Sequence, residues 1–402
     1  MITTAEATRA ISAAMPSFAS ILVPLSQAAG RVLRQAVSAE RDQPPFDRVM
    51  MDGIAVRFAA LAAGRRRFVI QGTQHAGDPG QSLAAADRCI EIMTGGVLPG
   101  DTDCIIPVER ISVEDGQAIV EDNYEATRLK FVHPRGSDYA AGHEVLSAGH
   151  TITPMDIAII ASCGLEAVQV SSRPKVCVVS TGNELVPPGR AIESHQVRLS
   201  NGPALVAMLR QQGFQQTHDE HLVDEKTLLR KRLAEILDES QVIILSGGVS
   251  MGKADFVPEV LGELGVEVIF HKISQWPGKP MWFGVGPGNQ AVFALPGNPV
   301  SSLVCCRQYV LPALLLASGR EPPPQETAIL AEDVTFNPQL TCFLPVRIRA
   351  ADSGHIGAAP VATNTSGDFA SLSGTDGYVE LGLGENEFPA GTSVPLHRWV
   401  NP

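Results

Sequence analysis

The spacing of apolar residues changes along the chain, and from Arg173 onward it predicts alternating strands and helices. Four apolar runs rich in β-branched residues have the length of buried strands: 175–180, 241–245, 266–272 and 291–295. Between the first two runs, Leu229, Leu233 and Leu237 fall on one helical stripe after a predicted cap at Asp224. Continuous apolar strands that alternate with helices favour a mostly parallel sheet covered on both faces, as in a doubly wound α/β domain.

Helix signals also occur outside these strands. Thr3 and Glu6 have the spacing of a capping box that opens a helix to about Ala14, and Ser26 predicts the cap of a second helix. Three further stretches predict helices by their end signals or apolar content: 154–163, 201–213 and 300–316. The last of these is almost wholly apolar, which predicts a helix buried on all sides.

Short β-type runs separated by Gly, Asp and Pro turns occupy two other regions. One region runs from Phe46 to about Tyr139, and the other follows the proline-rich linker 321–324. We therefore expect a multidomain α/β and β protein with four domains. The expected boundaries are 1–42 with 141–172 for a discontinuous domain, 43–140 for an inserted β-rich domain, 173–320 for the α/β domain and 321–402 for a small C-terminal β domain.

Composition narrows the class of protein. The chain has 402 residues, of which 44% are hydrophobic and 18% are charged, so pervasive disorder is excluded. Its formal net charge of −12 argues against a broad nucleic-acid-binding face. The first residues lack the basic and apolar regions of a signal peptide, and no apolar run reaches the roughly 20 residues that span a bilayer. We expect a cytoplasmic protein with no nucleic-acid or membrane partner.

The seven cysteines show neither CxxC pairs nor metal-ligand spacing. Cys177, Cys305 and Cys306 lie inside apolar runs. Buried thiols in a reducing compartment are therefore predicted, rather than a disulfide framework.

Three loops rich in small residues follow strands of the predicted α/β domain: 180–184 (STGNE), 246–250 (SGGVS) and 296–299 (PGNP). Because loops at the carboxyl ends of parallel strands face one crevice, we expect them to meet there. Small residues let N–H groups converge on an anion, and the helix N-termini that follow add positive charge. Each loop alone also fits a tight strand–helix connection, but the three together favour an oxyanion pocket in an otherwise acidic chain.

Acidic residues follow two of these loops. Glu184 closes the first, and Asp255 comes shortly after the second. Mg²⁺ is typically held by one or two carboxylates together with phosphate oxygens, so these residues are candidate metal ligands beside an anion. Either carboxylate can instead cap a helix N-terminus. Lys279 lies in a turn, where it either supplies a positive counterpart or is merely solvated.

Other motifs give weaker signals. Residues 247–253 match G-x-x-x-x-G-K after a strand, but Ala254 stands where a P-loop needs Ser or Thr for Mg²⁺, so a P-loop-type ATPase is a minor alternative. The glycine-rich stretch 284–288 precedes a strand rather than a helix and indicates a turn. His218 and His221 lack a metal-binding spacing and predict a polar surface turn.

Several of these stretches resemble the molybdopterin molybdenumtransferase family, MoeA, to which the E domain of gephyrin also belongs. The matching pieces occur in the family's order: 45–57 (PFDRVMMDGIAVR), 92–96 (IMTGG), 180–185 (STGNEL), 246–252 (SGGVSMG), 277–280 (PGKP), 295–301 (LPGNPVS) and 366–372 (SGDFASL). The combination is specific for the family's fold, although no single piece is.

The resemblance implies a MogA-like doubly wound α/β domain, an elongated discontinuous domain, an inserted β-rich domain and a small C-terminal β domain. It also implies a homodimer whose site lies between the inserted domain of one chain and the α/β domain of the other. The implied reaction inserts molybdate into adenylylated molybdopterin with Mg²⁺ or another divalent cation, and it releases AMP and molybdenum cofactor. MogA-type proteins and molybdoenzymes are the implied protein partners.

By position, the resemblance also implies roles for particular residues. The implied catalytic residues are Asp52, Thr94, Glu184 and Asp255, and all of these except Thr94 are implied metal ligands. The expected substrate-binding residues, from the loops and the resemblance together, are Ser180, Thr181, Gly182, Ser246, Gly247, Gly248, Ser250, Lys279, Pro296, Gly297, Asn298, Pro299 and Ser371. Backbone donors suit both the molybdate dianion and the pyrophosphate, so positioning and charge compensation are expected to supply most of the catalysis.

Four positions depart from the family's pattern near the implied site. Ser137 and Leu199 replace acidic residues, Trp276 replaces a lysine, and Lys253 replaces a glutamate. Leu199 removes a candidate metal or substrate ligand, and Trp276 removes a phosphate-binding cation, while Lys253 can restore positive charge nearby. These changes keep a second hypothesis open: a catalytically impaired paralogue that binds molybdopterin or a nucleotide, or acts as a scaffold.

Overall fold

The computed structural model describes residues 1–248, 256–336, 339–350, 354–363 and 365–400. The chain divides into two compact units. The larger unit comprises Met1–Gln35, Ala148–Thr153 and Ala167–Pro402, and the smaller unit comprises Ala36–Ser147 and Pro154–Glu166. Both units are therefore assembled from separate stretches of the chain.

A six-stranded sheet forms the centre of the larger unit. Its strands along the chain are β1 (Val176–Thr181), β2 (Thr217–Leu222), β3 (Val242–Ser246), β4 (Glu267–His271), β5 (Trp282–Val285) and β6 (Ala291–Leu295). Their order across the sheet is β2-β1-β3-β6-β5-β4. The first four strands in that order are parallel, and β5 and β4 join antiparallel. The carboxyl ends of β1, β3 and β6 therefore share one edge of the sheet.

Helices cover both faces of this sheet: α1 (Asn201–Gln211), α2 (Lys226–Glu239), α3 (Val257–Glu263) and α4, which runs from Pro299 to Ala317. Every residue of β1, β3 and β6 is buried, which explains their continuous apolar runs. Successive strand side chains point to opposite faces. Val176 and Val178 pack in the core with α1 and α4, whereas Cys177 and Val179 pack in the core with α2 and α3.

Helix α4 is the predicted core helix. It consists of α-helical segments Pro299–Cys305 and Leu311–Ala317 with a π-helical turn, Cys306–Val310, between them. Among the described residues it is the one helix long and apolar enough to cross a membrane by length and composition, but 67% of that stretch is buried inside the protein. Its apolar surface is therefore accounted for by packing.

The N-terminal segments belong to the larger unit. Helix Thr4–Ala14 begins with the predicted capping box, in which the Thr3 side chain accepts from the Glu6 N–H and the Glu6 carboxylate accepts from the Thr3 N–H. Strand Ser20–Pro24 pairs antiparallel with Ala167–Ser171. Two distant stretches of the chain are joined by this ribbon.

A second six-stranded sheet forms the C-terminal part of the larger unit. Across the sheet its strands are Gln275–Trp276, Thr341–Ala350, Ile356–Pro360, Thr327–Leu330, Ser393–Arg398 and Gly377–Leu381. Two short pairs join Val334–Thr335 to Glu387–Phe388 and Leu185–Val186 to Val197–Arg198. The second of these pairs borders the carboxyl edge of the central sheet.

The smaller unit is built on a third six-stranded sheet. Across it the strands are Cys104–Pro107, Gly53–Val56, Arg88–Ile92, Arg67–Gln74, Gln117–Val120 and Ile111–Glu114. Shorter pairs join Arg48–Val49 to Val132–His133 and Val37–Ser38 to Glu144–Leu146, and the helices are Phe58–Ala62 and Pro154–Ser162. Gly53 has a φ of +153°, and a side chain there would overlap the Ile106 carbonyl group, so the strand that follows Asp52 needs glycine at its start.

The predicted fold class is confirmed, because a doubly wound α/β region is combined with β-rich regions before and after it. The seven cysteines are all buried and free, as predicted. Burial raises the pKa of the Cys177 thiol to about 12. The four domain boundaries drawn from the sequence stay a prediction.

Three local predictions are wrong. Ser26 lies in a 3₁₀ turn, Leu25–Gln27, and does not cap an α-helix. The cap of α2 is Glu225 rather than Asp224, and its carboxylate accepts from two backbone N–H groups of the first turn. The stretch 218–221, predicted as a turn, belongs to strand β2; this strand has one neighbour only, so its polar side chains can face solvent.

Candidate active site

The three predicted loops meet at the carboxyl edge of the central sheet. Ser180 at the end of β1 pairs with Ser246 at the end of β3, and Ser246 pairs with Leu295 at the end of β6. The pocket between them, the loop pocket, has a volume of about 520 Å³, within the usual range for ligand sites. Its lining residues are Ser180, Thr181, Glu184, Leu185, Val197, Arg198, Leu199, Ser200, Asn201, Ser246, Gly247, Gly297, Asn298, Pro299 and Phe369.

Asn201, the first residue of α1, ties two of the loops together. Its side-chain amide donates to Ser246 Oγ at 2.8 Å and to the Gly297 carbonyl oxygen at 2.8 Å. Ser302 Oγ in turn lies 3.1 Å from Ser246 Oγ and donates to the Pro296 carbonyl oxygen at 2.7 Å. Since the Ser302 proton is used in that bond, Ser246 donates to Ser302 and accepts from Asn201. One directed chain of hydrogen bonds therefore fixes the second loop against the third.

Two hydroxyl groups at the end of β1 have no hydrogen-bond partner among the described residues. They are Ser180 Oγ and Thr181 Oγ1, on side chains that are only 2% and 4% exposed. A buried donor without a partner costs roughly 1–3 kcal/mol of stability. Because both residues line the pocket, a bound acceptor can remove this cost. The residues that line the pocket thus include two hydroxyls whose hydrogen-bonding capacity is unused among the described residues.

Glycine is required at position 247, where the second loop comes close to the first. Gly247 has a φ of +93°, and a Cβ atom there would lie 2.8 Å from the Thr181 carbonyl oxygen. A Cβ atom on Gly297 would lie 3.6 Å from the Gly247 Cα atom. The backbones of the second and third loops are therefore in contact, and small residues at these positions let the main chain line the pocket.

Glu184 supplies negative charge at the side of the pocket. A Cβ atom on Gly182 would lie 2.6 Å from both carboxylate oxygens of Glu184, so this side chain folds back over its own loop. Burial and the nearby Glu184 charge raise the pKa of Asp224 above its ordinary value. Glu184 therefore places one carboxylate, a group of the kind that Mg²⁺ prefers, in the lining of the pocket.

Asp52 and Thr94 form a separate pair in the smaller unit. Asp52 Oδ1 accepts from the Thr94 backbone N–H at 2.6 Å and from Thr94 Oγ1 at 2.8 Å. These two hydrogen bonds hold the pKa of Asp52 below its ordinary value. Asp52 is exposed, and its second carboxylate oxygen takes no part in the bonds to Thr94. The structure thus presents a fixed, ionised carboxylate directly before Gly53.

The remaining predicted residues lie in several places. Gly182, Gly248 and Pro296 belong to the loops but do not line the pocket. Lys279 is exposed in the turn between β4 and β5 and does not line it either. Ser371 lies in the short 3₁₀ turn Phe369–Leu372, where its hydroxyl donates to the Asp368 carbonyl oxygen at 2.6 Å. Ser250, Lys253, Ala254 and Asp255 lie outside the described residues.

Two of the departures from the family pattern have a structural role. Leu199 lines the pocket and is 6% exposed, so an apolar wall stands where an acid was expected. Trp276 packs against Phe336 with ring centroids 5.7 Å apart, in the core of the C-terminal sheet. Ser137 is exposed in the smaller unit. The tryptophan thus contributes to packing, and its ring does not line the loop pocket.

The two histidines of β2 cannot share a metal ion, because residues three apart in a strand point to opposite faces. His218 lies on the side of Glu220, at 3.5 Å, whereas His221 Nε2 lies 2.8 Å from the Gly182 carbonyl oxygen. Cys177, His218 and Glu220 do come within 4.8 Å of one another. However, Arg232 holds both carboxylate oxygens of Glu220, so this group is an ion-paired network rather than a ligand set.

Sequence reasoning missed several residues of the pocket, among them Asn201, Arg198 and Phe369. Asn201 was interpreted only as a helix start, although an Asn before Gly-Pro at the end of a strand–helix connection is also placed to bond neighbouring loops. Arg198 lines the pocket, and its guanidinium donates to the carbonyl oxygens of Pro187 and Arg190 at 3.2 and 2.7 Å. Phe369 reaches the pocket from the C-terminal part of the chain, and no local sequence signal indicates this.

The fold and pocket together define a class: doubly wound α/β proteins with a ligand pocket at the carboxyl edge of the sheet. Three family models cover almost the whole chain: "MoeA N-terminal region (domain I and II)" matches residues 2–164, "Probable molybdopterin binding domain" matches 177–315, and "MoeA C-terminal region (domain IV)" matches 327–399.

Curated relatives are similar over most or all of their length. A molybdopterin molybdenumtransferase of Synechocystis sp. is 38% identical over 400 residues, covering 99% of this chain and all of the relative. A molybdopterin molybdenumtransferase of Synechococcus elongatus is 32% identical and covers 93% of both chains. The chain therefore belongs to the molybdopterin molybdenumtransferase family, whose members are transferases of molybdenum cofactor biosynthesis.

Solved structures agree with this placement. The molybdopterin biosynthesis MoeA protein from Pyrococcus horikoshii is 29% identical, with a TM-score of 0.85 over the whole of both chains. A second structure of a MoeA protein from this organism matches with a TM-score of 0.80 at 23% identity, which shows the shared fold.

Proposed function

We propose that this protein inserts molybdate into the dithiolene of adenylylated molybdopterin and releases AMP and molybdenum cofactor. The observation that supports this most is the loop pocket of about 520 Å³. Its lining residues include Ser180 and Thr181, whose buried hydroxyls have no partner among the described residues, and glycine-bearing loops that are in contact. Donors of this kind suit a tetrahedral dianion and a pyrophosphate. The family relationship makes molybdate and adenylylated molybdopterin the fitting substrates.

The chain's own residues act by binding and orienting the substrates. The Ser180 and Thr181 hydroxyls donate to oxyanion oxygens, which gives them the hydrogen bonds they lack. Asn201 keeps the second and third loops in one arrangement, so that the donors do not have to reorganise during the reaction. Leu199 and Phe369 provide apolar surface for a ring of the substrate. The sulfur ligands of molybdenum come from the substrate, so no protein thiolate is needed.

The carboxylate oxygens at the pocket suit a magnesium ion. Carboxylate oxygens are hard ligands of the kind Mg²⁺ prefers, and one or two carboxylates with phosphate oxygens make its usual site. Glu184 lines the pocket, and its negative charge adds to the effect of burial in raising the pKa of Asp224. When bound, the ion supplies charge compensation on the phosphates. We assign Glu184 to this role, together with Asp255 and Asp52, by the sequence resemblance.

We further propose that the active unit is a homodimer in the cytoplasm. In this arrangement, Asp52 and Thr94 of one chain complete the loop pocket of the other. The Thr94 bonds keep Asp52 ionised and pointed in one direction, as a shared site requires. A MogA-type protein is proposed to supply the adenylylated substrate, and molybdoenzymes are proposed to receive the product.

A second candidate function is favoured by one observation. Leu199 puts an apolar side chain in the wall of the pocket where an acidic residue was expected. A protein that binds molybdopterin or a nucleotide without turnover can tolerate that change. Binding in the pocket without release of AMP supports this reading.

The deciding experiment measures AMP release by purified protein with adenylylated molybdopterin, Mg²⁺ and molybdate. We expect AMP above the no-enzyme level, and more of it with molybdate than without. Glu184→Gln is expected to lower the rate while the melting temperature stays unchanged. No AMP above the control, together with substrate binding by calorimetry, favours the binding protein and refutes the transferase.

A further inference from the structure

A second pocket of the larger unit is lined by arginines. Its volume is about 60 Å³, and Arg31, Arg173 and Arg320 lie in its wall together with Thr151. Its lining residues include no carboxylate. Three arginine residues therefore line a small space in a chain whose formal net charge is −12.

The arginines lack counter-charges among the described residues. The Arg31 guanidinium donates to the Ser171 carbonyl oxygen at 2.6 Å, which is a neutral acceptor. The guanidinium groups of Arg173 and Arg320 have no hydrogen-bond or ion-pair partner in the described part of the chain. Burial, followed by the neighbouring Arg173, lowers the pKa of Arg31. Arg31 and Arg173 thus repel each other, and no carboxylate of the described residues pairs with either of them.

Two further features concern the hydrogen bonding and the charge of this pocket. Thr151 Oγ1 is buried and has no hydrogen-bond partner among the described residues. The C-terminal ends of α1 and α4 lie beside the pocket, at Gln212 and Ser318. Each helix end supplies about −0.5 of a charge, so the two ends offset only about one of the three positive charges.

The arginine pocket is separate from the loop pocket. Helix α1 begins at Asn201, which lines the loop pocket, and ends at Gln211, next to the arginine pocket. A helix of 11 residues spans about 16 Å. The two pockets are therefore at opposite ends of the same helix.

We propose that the arginine pocket binds one free tetrahedral oxyanion of the phosphate and sulfate class. One water needs roughly 10–15 Å³ on the same scale, so the pocket has room for about five water-sized atoms, and a tetrahedral oxyanion has five. Guanidinium groups match the geometry of such oxygens. The ligand supplies the negative charge that the arginines lack and an acceptor for the Thr151 hydroxyl.

The test compares the wild type with the double variant Arg173→Gln/Arg320→Gln, and with Arg349→Gln as the matched control. Arg349 is exposed on the C-terminal sheet and lies outside this pocket. Melting temperatures are measured in phosphate, sulfate or chloride at matched ionic strength, and phosphate affinity is measured by calorimetry, without any pterin substrate. We expect phosphate and sulfate to stabilise the wild type and the control. In the titration, the double variant should lose one phosphate site or bind at that site at least tenfold more weakly, whether or not the loop pocket also binds phosphate.

The result in chloride separates a ligand site from a structural role. Removing unpaired like charges is expected to leave the double variant as stable as the wild type, or more stable. If the double variant is less stable in chloride and its response to phosphate is unchanged, the arginines stabilise the C-terminal ends of α1 and α4 instead. That result overturns the proposal. Stabilisation by AMP but not by phosphate or sulfate, lost in the double variant, also overturns it, because the ligand is then a phosphomonoester. None of these results depends on the transferase reaction.

Discussion

Asn201 is predicted to position the loop pocket through its two hydrogen bonds to Ser246 and Gly297. In Asn201→Ala both bonds are lost, while the Ser246–Ser302 contact can remain. At about 1 kcal/mol for each hydrogen bond, the loops lose roughly 2 kcal/mol of ordering energy. If all of this is expressed in the transition state, kcat/KM falls about 30-fold.

A second substitution at this position distinguishes positioning from stability. Asn201→Asp keeps the size of the side chain but places a carboxylate opposite the Gly297 carbonyl oxygen and beside the anion. An acidic residue in the first turn of α1 also interacts favourably with the helix dipole, so this variant should retain much of its stability. We therefore expect Asn201→Asp to lose more activity than Asn201→Ala and to have the higher melting temperature of the two.

The assay is AMP release as a function of adenylylated molybdopterin concentration, with calorimetric titration of molybdate in parallel. Asn123→Ala, at an exposed asparagine of the smaller unit, is the control and should behave as the wild type. The reasoning is refuted if both Asn201 variants keep kcat/KM and molybdate affinity within twofold of the wild type.

Three further outcomes are expected. Arg232→Gln should lower the free energy of unfolding by roughly 1–3 kcal/mol at pH 7, because Arg232 holds the pKa of Glu220 below its ordinary value of 4.5. That stabilisation is present above the ordinary pKa and is lost as pH falls through the folded-state pKa. The difference in unfolding free energy between wild type and variant, measured by urea denaturation, should therefore shrink below pH 4.5. Gly247→Ala should cost roughly 1–3 kcal/mol and reduce molybdate binding, because of its φ of +93°, and unchanged binding would count against the loop contact. Thr94→Val should raise the pKa of Asp52 toward its ordinary value in an NMR titration, and an unshifted pKa would show that the hydroxyl bond does not matter.

Much of the α/β fold follows from local sequence patterns. Strands β1, β3 and β6 are buried on both faces, so their apolar runs are continuous and easily recognised. Strand β2 has a polar sequence because it pairs on one side only, and its pattern resembles that of a turn. Helix α2 was predicted from its stripe, but two acidic residues in a row, Asp224 and Glu225, left its cap open to misassignment.

The part of the site that lies in loops directly after strands was predictable from the sequence. The end residues Ser180, Ser246 and Pro296 were expected to converge, because parallel strands bring their carboxyl ends together. Asn201 and Ser302 were missed, since their bonds to Ser246 join residues 45 and 56 positions apart. The sequence shows which residues are present, but only the three-dimensional arrangement shows that these bonds form one chain.

The central claim is that the loop pocket holds a tetrahedral dianion on the hydroxyls of Ser180 and Thr181. The most direct test is a crystal soaked in molybdate, with anomalous diffraction collected at the molybdenum absorption edge. We predict a molybdenum peak in the loop pocket with an oxyanion oxygen within hydrogen-bond distance of one of these hydroxyls. A loop pocket without a molybdenum peak at saturating molybdate, or a peak that contacts neither hydroxyl, would contradict the claim.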